Sequence, residues 1–304
     1  MVRDISLGRS LFAVTKGKGI MKFLKSNRIA SFFVIAFVYA LATAVGLVTY
    51  RALALDWWLG LLIADAVATV VTFVFSLIFN NASVYDPYWS VQPPVILVAF
   101  VIGGTVTVLG VLLLVVVSIW AIRLTANWAY TFSNLYHQDW RYTMLKQKTG
   151  KLYPIVNFVG IHMVPTLVVY GCVLPAVYAI ITGLTVTVAS VVFLSVSLGA
   201  IIIQGTADIQ MHKFRKNRDS VFIRRGLWKY SRHPNYLGEI TMWWGIALAV
   251  VCANPSVWYL LAGALANTVL FICVSIPLAE GKQSKKEGYS EYKKQTRALL
   301  PIKK

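Results

Sequence analysis

The chain has 304 residues, 58% of them hydrophobic and only 13% charged, with a formal net charge of +18. Soluble domains carry about twice that charged fraction, so an ordinary water-soluble globule is excluded. The basic residues cluster beside the ends of apolar runs, where anionic headgroups attract them, and this argues against nucleic-acid binding.

About 20 consecutive apolar residues cross a bilayer core, and in lipid such runs must be helical because every backbone polar group is satisfied within the segment. After a basic arm at residues 1–28, seven windows qualify: 29–50, 57–79, 95–120, 155–181, 184–204, 236–252 and 256–278. The predicted fold is all-α, a polytopic transmembrane helical bundle of about seven spans, forming a single domain over residues 29–304. The first window is too long for a signal peptide and lacks a small-residue cleavage site, so it would direct insertion itself. Pro165 and Pro175 fall in the fourth window and predict a kink or a split, which would make the count eight.

Of the 29 Lys and Arg residues, seven lie in the arm, five in 121–154, eight in 205–235 and eight in the tail after the last span, with Arg51 apart. With seven spans the last three groups share one side, the cytoplasmic one by the positive-inside rule, and the basic arm is left outside. An eighth span, or an arm lying in the interface, would reconcile the two. Cys172, Cys252 and Cys273 all sit in apolar windows without metal-ligand spacing and read as small buried hydrophobes.

Ionisable residues at membrane depth are costly and therefore informative. Asp65 lies mid-span and is either a polar contact to substrate, a proton relay, or a hydrogen-bonded structural Asp. Gln204, Asp208, His212 and Arg215 fall on one helical face. There the carboxylate would accept hydrogen bonds from a sugar hydroxyl and the guanidinium would clamp a phosphate, unless the face is merely solvated. The stretch from Gly226 to Glu239 is a basic loop ending at Pro234, where a helix can start, with Asn235 and Glu239 one turn apart on it. Glu280 closes the last span and could meet the 224–235 loop. A short amphipathic helix is predicted in the tail, before Pro301.

These residues resemble the steroid 5α-reductase superfamily, and most closely its bacterial branch of unassigned substrate. The likeness rests on Arg232-His233-Pro234-Asn235-Tyr236 with Gly238-Glu239, the Asp208–Arg215 pair, the tail with Gly288-Tyr289, Tyr292 and Leu299-Leu300-Pro301, the Ser83–Ser90 motif, and the 127–142 stretch. It covers about residues 80–304. It implies a seven-helix bundle in a bacterial inner membrane that binds NADPH on its cytosolic side. The reaction implied is reduction of a carbon–carbon double bond conjugated to a carbonyl, in a lipophilic, steroid-like or isoprenoid substrate. Residues 29–120 would face the substrate and 121–304 the cofactor. By this resemblance Asp208 and Arg215 match the adenosine and phosphate contacts. Gln204 stands where the family often has Asn, and Asn235 and Glu239 lie at the nicotinamide end. His212, Arg224, Tyr230, Arg232, His233 and Glu280 complete the expected cofactor set; no metal is expected. Lys and Arg residues around 213–225 would hold the 2′-phosphate that distinguishes NADPH from NADH. The steroid enzymes' Gln-Glu pair is missing, and Trp120 stands where their substrate-side Tyr would be. Tyr85, Asp86 and Tyr88 are therefore the candidate donors that polarise the carbonyl, with Asp86 expected to stay protonated through burial. Glu239 joins them as a candidate catalytic group.

The same shape is similar to the isoprenylcysteine and phospholipid methyltransferases, which would take S-adenosylmethionine instead. Gly238-Glu239, the Asp208–Arg215 pair and a single Glu280 favour the reductase. A transporter would show repeated halves with paired broken helices, and no such repeat is present.

Overall fold

The computed structural model describes residues 19–217 and 220–301, so most of the basic arm and the extreme C-terminus lie outside the described residues. Among those described, all regular structure is helical. The α-helices are α1 (Arg28–Leu53), α2 (Trp57–Ile78), α3 (Tyr88–Gly103), α4 (Val108–Thr131), α5 (Trp140–Thr149) and α6 (Tyr153–Val156). They continue with α7 (Val164–Ile181), α8 (Val188–Asn217), α9 (Pro234–Val251), α10 (Leu261–Leu270), α11 (Ile276–Gln283) and α12 (Tyr289–Gln295). Short 3₁₀ turns and two π-helical segments, Asn157–Met163 and Phe271–Ser275, link some of them. Six helical stretches are long and apolar enough to cross a membrane: α1, α2, α4, Trp140–Ile181, α8 and Pro255–Gln283. Large apolar side chains such as Phe33, Ile102 and Val188 are more than 70% exposed, as a lipid-facing surface requires. The chain is a multi-pass integral membrane protein.

The third apolar window is not one helix. α3 stops at Gly103 and α4 starts at Val108, with residues 104–107 non-helical between them. Paired glycines carry a large entropic cost in a helix, and the Thr107 hydroxyl accepts from Gly110 N at 3.1 Å, capping the new helix. In the fourth window the irregularity is the π-helix just before Pro165, while Pro175 sits inside α7. Proline lacks the N–H that an α-helical ladder would use at that point.

Two compact units divide the described chain: unit 1 comprises residues up to Trp89 with Trp128–Thr166, and unit 2 comprises Ser90–Asn127 with Leu167 onward. In unit 1, α1 packs on α2 through small residues. A Cβ on Gly46 would stand only 3.3 Å from Ala64 O and Ala68 Cβ, the close backbone approach that membrane helices favour. In unit 2, α9 lies against α8. Gly238 and Gly245 form the contact, where added Cβ atoms would meet Ala200 O at 2.7 Å and Phe193 O at 2.8 Å. Ser197 donates to Met242 O at 3.0 Å and Ser190 to Ala249 O at 2.8 Å across the same seam.

Candidate cofactor site

Unit 2 holds a charged cluster between α4, α8 and α9 that is buried at Glu239 and part-buried at Arg123 and Asp208. Arg123 of α4 pairs with Asp208 of α8 at 2.7 Å and stands 3.8 Å from Glu239 of α9. Glu239 is 4% exposed and accepts from the indoles of Trp120 at 2.9 Å and Trp243 at 3.0 Å, one on each carboxylate oxygen. The two indoles meet edge-on, with centroids 5.0 Å apart. A carboxylate is costly to desolvate unless it is paired and hydrogen-bonded, and this one is both. One turn further along α8, His212 Nε2 and Asn127 Oδ1 are 2.7 Å apart. The predicted polar face of α8 thus turns toward α4.

Several polar atoms around this cluster are buried without a hydrogen-bond partner: both amide atoms of Gln204, Oδ1 of Asn235, and Nε and Nη2 of Arg123. Gln204 is 1% exposed and presses on Gly238, where a Cβ would come within 2.5 Å of its Cγ. Buried polar groups are nearly always satisfied, so such a set marks a place where a polar ligand would supply the missing bonds.

The basic loop folds back on α8. Gly226 takes φ +62°, in the left-handed region, and Leu227 N donates to Gln210 Oε1 at 2.9 Å. The Trp228 indole donates to Ala207 O at 3.2 Å and packs with Phe214 and Ile223. Arg232, His233 and Glu280 form a second cluster that secures the tail. Arg232 reaches Glu280 Oε1 through Nε at 2.7 Å and Nη2 at 2.5 Å, and its Nη1 donates to the carbonyls of Lys293 and Thr296. Lys293 pairs with the other Glu280 oxygen at 2.7 Å. Two backbone bonds of 3.0 Å, Arg232 N to Arg297 O and His233 N to Ala298 O, complete the tie. Burial lowers the His233 pKa to about 4 although Glu280, 3.5 Å away, opposes the shift, so the ring is neutral at pH 7. Of the expected cofactor residues, the structure therefore brings Asp208 and Glu239 to Arg123, with Gln204 packed on Gly238 next to Glu239 and Asn235 on the same helix as Glu239. It collects Arg232, His233 and Glu280 elsewhere, and leaves Arg215, Arg224 and Tyr230 exposed.

Unit 1 holds the other candidates. Asn81 caps the 3₁₀ turn Ala82–Tyr85 by accepting from Ser83 N at 2.9 Å, and its amide donates to Leu135 O and His137 O. Asp139 N donates to Ser83 Oγ at 2.9 Å, and the Tyr142 hydroxyl to Asp86 Oδ1 at 2.7 Å. The 83–90 motif and the 134–142 stretch are thus one interlocked structure. Tyr85 is 2% exposed, its hydroxyl 2.8 Å from Thr166 Oγ1, which lies 3.1 Å from Thr69 Oγ1. Burial pushes the Tyr85 phenol well up, so it stays a neutral donor. Asp65 lies within electrostatic reach of Tyr85 and Tyr88. Burial raises Asp86 to about 6, against the pull of Arg141 and the Tyr142 hydroxyl. The direction is the expected one, but at pH 7 most of Asp86 is ionised and accepts the Tyr142 bond. Of the three expected donors, Asp86 is therefore the weakest at neutral pH. No group of three or more metal-ligating side chains occurs among the described residues.

A protein-family model described as a protein of unknown function, DUF1295, matches residues 72–296, about three quarters of the chain. The chain belongs to the DUF1295 family. No curated protein and no solved structure matches it. The DUF1295 stretch takes in the interlocked motifs of unit 1, the Arg123 cluster and the Arg232–Glu280 tie, and begins inside α2. Sequence reasoning missed Arg123, Trp243, Asn127 and Tyr142 as parts of these sites. Arg123 was legible in principle: it is the one charged residue between Asp86 and Asp139, and a lone charge in an apolar run points to a functional site.

Proposed function

We propose that this DUF1295 protein is a membrane-embedded, NADPH-dependent reductase of the steroid 5α-reductase type. It would act on a carbon–carbon double bond conjugated to a carbonyl in a lipophilic substrate. The observation that carries the reading is the buried Glu239 carboxylate, held by two indoles beside the Arg123–Asp208 pair, with the unsatisfied amide of Gln204 against Gly238 and the unsatisfied Oδ1 of Asn235 one turn earlier on α9. Those donors and acceptors suit a ligand with amide, hydroxyl and phosphate groups. When bound, NADPH supplies a hydride. Glu239, Asn235 and Gln204 would hold polar groups of the cofactor. Arg123 and Asp208 would position them, and exposed Arg215 and Arg224 would meet phosphate. In unit 1 the protonated Tyr85 hydroxyl, oriented by Thr166, is the candidate hydrogen-bond donor to the carbonyl oxygen.

The membrane orientation belongs to the same proposal. α3 has 16 residues and α9 has 18, which span about 24 and 27 Å, close to a bilayer core of about 30 Å. Counting both beside the six longer stretches gives eight crossings. An even count would put the start of α1, the 132–139 region, the 220–233 loop and the segment after Gln283 on one side, the cytoplasmic one by the Lys and Arg content of the sequence around them. That removes the conflict created by seven spans. A bacterial inner membrane is the host membrane that the resemblance favours.

The test is the melting temperature of detergent-purified protein with NADPH, NADH or S-adenosylmethionine. A ligand at 100 times its Kd stabilises by about 2.7 kcal/mol. A shift with NADPH that is lost in Glu239→Gln and Gln204→Ala supports the reductase and justifies a screen of conjugated enones. A shift with S-adenosylmethionine alone replaces it with a methyltransferase.

A further inference from the structure

A cavity of about 290 Å³ opens within unit 1, where α2 ends and α6 begins. Ser76 and Asn80 from the end of α2 face Lys146, Lys151, Tyr153 and Asn157 across it. Lys146 Nζ donates to Asn80 Oδ1 at 2.8 Å and stands 5.6 Å over the Tyr153 ring, which leaves further ammonium protons for a ligand. No acidic side chain lines the wall.

Asn157 is 2% exposed. Its amide donates to Ser76 Oγ at 3.1 Å, while its Oδ1, like the Tyr153 hydroxyl, is buried without a hydrogen-bond partner. It also opens the π-helix Asn157–Met163, the kind of helix irregularity that recurs at functional sites. The wall thus offers two cations for an anion and a buried acceptor for a hydroxyl. Leu77, at the end of the membrane-crossing α2, lines it and is 49% exposed, and Ile78, Leu152 and Ile155, each next in the chain to a lining residue, are 52–63% exposed.

We propose that this cavity binds a phosphate ester carrying free hydroxyls. That chemistry is shared by a phosphatidylglycerol-type headgroup and by free glycerol phosphate. Lys146 and Lys151 pair with the phosphate, and Asn157 Oδ1 and the Tyr153 hydroxyl take the hydroxyls. The apolar side chains beside the mouth are placed for acyl chains, which favours the lipid. This site does not depend on the reductase reading, and none of its readouts is turnover.

Native mass spectrometry of the full chain would compare phosphatidylglycerol, phosphatidylethanol (equally charged but without free hydroxyls) and phosphatidylcholine. Melting with glycerol 3-phosphate is the soluble arm. Phosphatidylglycerol should be retained best. Lys146→Gln/Lys151→Gln, both at exposed positions, should weaken it about tenfold, as loss of charge-assisted bonds predicts. Asn157→Ala should abolish the preference over phosphatidylethanol and keep that over phosphatidylcholine. A melting shift with glycerol 3-phosphate that the lysine variant loses supports the site with a soluble occupant. Equal retention of all three lipids with no such shift, or unchanged binding in the lysine variant, overturns the proposal.

Discussion

Glu239 and Asp86 show how residue type and surroundings separate. Both are acids shielded from water, yet Glu239 meets two indoles and a guanidinium, whereas Asp86 meets the Tyr142 phenol and Ser83 and feels the opposed charges of Arg141 and Asp139. Because Asp86 is raised in the fold to about 6 from an ordinary value of 3.8, folding favours its protonated form. The sign follows: its effect is absent below about pH 3.8, and stability is lost as pH rises toward and through 6. Asp86→Asn keeps an acceptor for the Tyr142 hydroxyl and removes that loss. The melting temperature of Asp86→Asn relative to wild type should therefore be higher at pH 7.5 than at pH 4. A difference constant across that range would mean that Asp86 is not raised. Arg123 is the more vulnerable residue. Arg123→Ala leaves the buried Glu239 and the part-buried Asp208 without their cation and should cost about 2–3 kcal/mol, toward the low end for a broken buried pair, read as a lower midpoint in chemical denaturation.

At the scale of elements, the site depends on how closely α8 and α9 approach. Gly245→Val would drive a side chain into Phe193 O, a backbone atom that cannot step aside. The expected cost is about 1–3 kcal/mol. Gly199→Val on the open side of α8, where nothing lies within 4 Å, is the matched control and should melt within a few degrees of wild type. Equal losses in the two variants would mean that helix propensity, and not the seam, sets the effect. The long α8 was legible because its polar face continues the apolar run without a break. The end of α3 was not, although Gly103-Gly104 stood in view, since the window was judged by its apolar content alone.

The proposed count of eight crossings makes a whole-molecule prediction. Single cysteines in a cysteine-free background at residues 104–107 and at 182–187 should react with an impermeant thiol reagent from outside intact cells. Cysteines in the 220–233 loop should react only after lysis. Residues 104–107 unreactive from both sides would restore the seven-span reading, in which they lie within the third span. The amino-acid sequence by itself determined that this is a polytopic helical membrane protein, because lipid leaves an apolar run of about 20 residues no other backbone structure. It also marked Asp208, Glu239 and Glu280, since polar residues at the ends of apolar runs are costly enough to stand out, while Tyr85 and Asp86 were marked by the family resemblance. Only the tertiary structure decided that Arg123, 85 residues from Asp208 in the chain, is the partner of both Asp208 and the buried Glu239. Glu280 does meet the 224–235 loop, as its place at the end of the last span suggested, but the structure alone decided that Arg232 and His233 are its partners there, and that the 83–90 and 134–142 segments interlock. Pairings over such distances depend on which helix faces meet, and side-chain spacing along one helix carries no information about its neighbour.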